Sequence, residues 1–77
     1  MKSVADFKPG DILILSQFTG NMELQSRLVE MGFVPGVKIR LVKFAPWKGL
    51  VELKMRNYHV SVRIEDAKNI LVVKYES

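Results

Sequence analysis

Cysteine is absent from the 77 residues, which excludes disulfides, thiolate chemistry and cysteine-based zinc sites. His59 is the one histidine, so no histidine cluster is available for a transition metal. Long hydrophobic runs are missing as well. The longest aliphatic stretches, Ile12 to Leu15 and Ile70 to Val73, fall far short of the roughly 20 residues that a membrane-spanning helix needs. The opening Met1-Lys2-Ser3-Val4-Ala5-Asp6 lacks the apolar core of a signal peptide, and a soluble cytoplasmic protein is the expectation. Glu65 and Asp66 adjoin each other, but no nucleophile with a matching base accompanies them. No catalytic residue, small-molecule substrate, cofactor or metal cage is therefore expected.

The composition that remains is that of an ordinary globular chain, 48% hydrophobic and 26% charged. Its length allows one domain over residues 1–77, burying about 60% of the surface exposed by the unfolded chain. A net charge of +4 admits an anionic partner such as nucleic acid, a membrane surface or an acidic protein patch. The basic residues alternate along segments of strand character and form no block.

The segment Leu28-Val29-Glu30-Met31-Gly32-Phe33-Val34-Pro35-Gly36 encodes a helix-to-strand corner. With Gly32 in the left-handed position past a helix end, Leu28 and Phe33 become the apolar pair that closes a Schellman motif. Pro35-Gly36 then fits the centre of a type II turn. Phe7-Lys8-Pro9-Gly10 repeats the Phe-x-Pro-Gly pattern, and the same turn chemistry is expected at two corners of one sheet.

The rest of the chain falls into place around these corners. Asp11 to Ser16 reads as a first strand, apolar on both faces. Asn21 caps a helix from Met22 to about Met31, with Leu24, Leu28 and Met31 facing the core and Glu23 and Arg27 outside. Val37 to Phe44, Leu50 to Met55, His59 to Ile64 and Ile70 to Tyr75 follow as strands. Arg56-Asn57-Tyr58 is expected to be a tight turn with Asn57 at positive φ. Glu65 to Asn69 is expected to be a helical turn. About five short strands with one short α-helix after the first describe a mainly β fold, closed into a small barrel to hide its edges. An OB barrel carries its helix between the third and fourth strands, so the SH3-like β-barrel is favoured.

Leu28 to Ile39, then Phe44-Ala45-Pro46, then Tyr58 to Ile70 resemble the FeoA family of small ferrous iron transport proteins. The resemblance covers nearly the whole chain. It rests on the ordered set Met-Gly-Phe-x-Pro-Gly, Ala-Pro and Arg-x-x-x-Ala-x-x-Ile. It implies an SH3-like barrel and an accessory protein, at the inner face of the membrane, that partners FeoB, the membrane GTPase that moves ferrous iron. Two positions depart from the family pattern: Trp47-Lys48-Gly49-Leu50 replaces a common Gly-x-Pro, and Asn57 a common glycine.

The residues expected at a partner interface are Leu24, Arg27, Leu28, Met31, Trp47, Lys48 and Tyr58. Trp47 is an amphipathic aromatic beside a cation in a loop, which suits an anchor and equally suits a ring folded back over the barrel. Tyr58 carries the same ambiguity, and self-association is left open. The alternative function is a small basic barrel that binds nucleic acid, with Lys38, Arg40, Lys54, Arg56 and Arg63 tracking phosphates. Such a barrel would lose affinity steeply with salt, and its solvent faces lack closely spaced aromatic platforms for bases.

Overall fold

The computed structural model describes residues 1–76; Ser77, the last residue of the expected domain, lies outside them. Helix α1 spans Met22–Glu30. It begins where the Asn21 side-chain oxygen accepts a hydrogen bond from the Leu24 amide at 2.8 Å. It ends as the residue pattern dictates. The Phe33 amide donates to the Leu28 carbonyl and the Gly32 amide to that of Val29, both at 3.0 Å, with Gly32 at φ +102°. These two bonds define a Schellman motif, and its apolar closure, Leu28 against Phe33, lies in the core.

The two Pro-Gly corners are built alike. The Asp11 amide donates to Lys8 and the Val37 amide to Val34, each at 3.0 Å, while Gly10 and Gly36 take φ of +95° and +92°. Each corner also clips onto the strand that the other one starts. Gly10 donates to the Leu41 carbonyl and Leu41 returns a bond to Asp11; Gly36 donates to Leu15 and Leu15 returns one to Val37. Strands β2 (Ile12–Phe18) and β3 (Lys38–Ala45) therefore form an antiparallel pair with matching hardware at both ends.

The other strands are β1 (Lys2–Ser3), β4 (Leu50–Met55), β5 (Tyr58–Arg63) and β6 (Ile70–Lys74). All pairings are antiparallel, in the order β1-β6-β2-β3-β4-β5. One extra residue in β2, Ser16, and one in β3, Val42, shift the register and bend the sheet around its core. Leu13, Leu15, Ile39, Leu41, Val51, Leu53 and Val72 fill the concave side, and α1 covers them with Leu24 and Leu28.

This is a mainly β, SH3-like fold, with three differences from the sequence-based expectation. Among the described residues the strands number six, because Lys2–Ser3 pairs with β6. Two residues are too few for alternation to show, although Ser3-Val4-Ala5-Asp6 does spell the capping box found there: Asp6 accepts from the Ser3 amide and Ser3 from the Ala5 amide. The sheet stays open between β1 and β5. Helix α2 (Ile64–Ala67) and the 3-10 turn Val4–Asp6 pack into the gap, where Val4 and Ala67 are fully buried. In the β4–β5 hairpin it is Arg56, at φ +50°, and not Asn57, that takes the left-handed conformation. Hairpin turns that match strand twist require positive φ at their first central position, and position outweighed residue preference.

Candidate functional site

A groove of about 290 Å³ runs between α1 and the end of β5. One wall comes from Leu24, Arg27, Leu28 and Met31; the other from Leu50, Ser61, Val62, Arg63 and Asp66. Helical spacing puts the first group on one face, since 24, 27, 28 and 31 recur at three and four residues. Leu24 and Leu28 are 8% and 2% exposed and act as the floor, so their docking role is confined to shape. Met31 is half-buried and Arg27 exposed, which leaves them at the rim. Arg63 is held on the opposite rim by Glu65, at 3.3 Å.

Tyr58 is tied to this groove through Met31, because its hydroxyl donates to the Met31 carbonyl at 3.1 Å. The ring lies so close to Gly32 that a Cβ there would collide with the hydroxyl. Tyr58 thus clasps the β4–β5 hairpin to the end of α1 while remaining 43% exposed. Lys48 borders a shallow depression that shares Leu50 and Arg63 with the groove. Beside it, Trp47 sits in the 3-10 turn Pro46–Lys48 and is 76% exposed. The ring does not fold back over the barrel.

Five wall residues, Leu50, Ser61, Val62, Arg63 and Asp66, were not among those expected at the partner interface. They come from three elements more than 18 residues beyond Met31, and only the tertiary fold brings them opposite α1. The residues proposed to track phosphates are divided. Lys38, Arg40, Lys54 and Arg56 line a second, open depression with Ile12, Gly36 and Val37, whereas Arg63 lies in the groove. Among the described residues, no three or more His, Cys, Asp or Glu side chains gather as a metal site. No helix among them is long and apolar enough to cross a membrane. Asp11 is held below its ordinary value by the Lys8 amide that donates to it at 3.1 Å, and further by Lys74.

The FeoA domain family matches residues 2–74. The chain belongs to that family. Over 69 residues it is 35% identical to a Fe(2+) transport protein A/Fe(2+) transporter FeoB fusion protein of Porphyromonas gingivalis, covering 90% of this chain and 8% of that protein. The chain thus spans only a small part of this relative's length. Iron(II) transport protein A from Clostridium thermocellum shares the fold at a TM-score of 0.82 and 33% identity, over 94% of this chain and 44% of that one. A FeoA protein from Chlorobium tepidum aligns at a TM-score of 0.87 and 25% identity, over 99% and 71% of the two chains. The fold gives the FeoA residue pattern a physical meaning. Its Met-Gly-Phe is the Schellman end of α1, its Pro-Gly is the corner clipped onto β2, and its tyrosine is the clasp on Met31.

Proposed function

We propose that this chain is an accessory module of ferrous iron transport, which docks on the cytoplasmic GTPase part of a FeoB-type membrane transporter and modulates its activity or assembly. The observation that carries the reading is the fused relative, in which a stretch like this chain shares one polypeptide with a FeoB transporter. Domains joined covalently in one protein work at high mutual concentration, which is consistent with contact between their separate counterparts elsewhere.

The α1–β5 groove, flanked by Trp47–Lys48 on one hairpin and Tyr58 on the other, is the surface we assign to this contact. It combines an apolar floor and an adaptable methionine with arginine rims and an exposed tryptophan and tyrosine, and of these arginine, tryptophan and tyrosine are enriched at interface hot spots. Iron is the transporter's cargo in this reading. The nucleic-acid reading has less support, because Tyr75 has Lys38 Nζ over its ring at 4.2 Å and is no free platform for a base.

Equilibrium binding to full-length FeoB from the same cell, titrated with salt beside an unrelated single-stranded oligonucleotide, tests the proposal. Saturable transporter binding should persist at salt that abolishes oligonucleotide binding. Trp47→Ala should weaken it about tenfold or more, with no change in thermal stability. Salt-sensitive oligonucleotide binding with none to the transporter would overturn the assignment.

A further inference from the structure

Register across the sheet places a second surface on the opposite side from the core. Ile12 pairs with Arg40, Arg40 with Lys54, and Lys54 with His59, so these side chains form one row across four strands. The neighbouring row holds Val73, Ile14 and Lys38, and Arg56, in the turn after β4, lines one depression with Ile12, Lys38, Arg40 and Lys54. Tyr75, whose amide donates to the Ile12 carbonyl, closes the first row at its other end. One half of this face is apolar and the other half is basic. Val73 and Tyr75 are 49% and 40% exposed, while Ile12 and Ile14 are half-buried.

The basic half is unneutralised. Lys43, Lys74 and Arg63 each have a carboxylate partner, but Lys38, Arg40, Lys54 and Arg56 form no ion pair among the described residues. The nearest acids along these strands, Glu52 and Asp11, are engaged by Lys43 and Lys74. Arg40 and Lys54 stand directly opposite each other, an arrangement that destabilises a sheet. Fold alone would favour breaking this pair.

We infer that this outer face of β6-β2-β3-β4 rests on an anionic lipid bilayer, with its cations at the headgroups and Val73 and Tyr75 at the interface. An anionic leaflet attracts each Lys or Arg near its surface by about 1 kcal/mol, and tyrosine favours the headgroup level. A half-face of one sign complements a uniformly negative plane. A nucleic-acid strand would need free rings for its bases, and Lys38 already covers Tyr75. The inference is separate from the docking reading, since it concerns a different face and its test contains no transporter.

Sedimentation with vesicles of phosphatidylcholine alone, and with added phosphatidylglycerol, tests it on the full chain. Binding should require the anionic lipid and should persist in excess inorganic phosphate at constant ionic strength. Lys54→Gln and Arg56→Gln should each weaken it about fivefold, the equivalent of about 1 kcal/mol per cation. Thermal melts of both variants, expected to match or exceed the parent, guard against misfolding as the cause. Equal binding to both vesicles, loss of binding to free phosphate, or well-folded variants that bind like the parent would overturn the inference. So would binding of an oligonucleotide through the same residues without binding of vesicles.

Discussion

At Gly32 two constraints meet that a single substitution can separate. The backbone has φ +102°, and the Tyr58 hydroxyl occupies the space a side chain would need. Gly32→Ala should therefore lose about 1–2 kcal/mol from the left-handed backbone. It should lose about 1 kcal/mol more from displacing Tyr58 and its bond to Met31. In a Tyr58→Ala background the second loss should vanish, and a urea double-mutant cycle measures the coupling. Strict additivity would show that Tyr58 does not confine Gly32. The backbone demand at Gly32 was legible in the sequence, because Met-Gly-Phe-x-Pro-Gly is a local code. The clasp was not, since Gly32 and Tyr58 stand 26 positions apart in the sequence, which hides their proximity.

Between elements, the same turn does the same work twice. Gly10 and Gly36 take φ of +95° and +92°, and nothing lies within 4 Å of a Cβ built on either. Gly10→Ala and Gly36→Ala should consequently destabilise by similar amounts, about 1–2 kcal/mol each from backbone strain alone. Urea midpoints of the two variants check this, and losses differing by more than about 1 kcal/mol would mean the corners are not equivalent. The corners and α1 were readable because each is decided by a few adjacent residues. The bends at Ser16 and Val42 were not, as neither residue type marks a bulge and the extra residue is defined only against a partner strand.

For the whole molecule, the sheet stays open where a closed barrel was expected, and the plug of Val4 and Ala67 explains how the core is sealed without closure. The site follows the same logic. One wall of the groove could be read from helical periodicity, whereas the opposite wall depended on how β5 and α2 return to α1. The neighbouring strands β2 and β6 are also tied electrostatically at one end, by Lys74 to Asp11 at 3.6 Å. Because the folded chain holds Asp11 below its ordinary value of 3.8, its contribution to stability is complete above that pH. It should fade as the pH falls below 3.8 toward the folded-state value. Asp11→Asn should flatten this part of an acid-unfolding profile, and an unchanged acid limb would deny Asp11 that role.

The molecule's one tryptophan stands 76% exposed on the hairpin between β3 and β4. Its indole is nearly as wet in the folded chain as in an unfolded one, so its emission will hardly register denaturation. Anything that covers the Pro46–Lys48 turn would exclude that water and move the emission to the blue. The protein thus carries an optical probe that is almost blind to its own folding and responsive to its company.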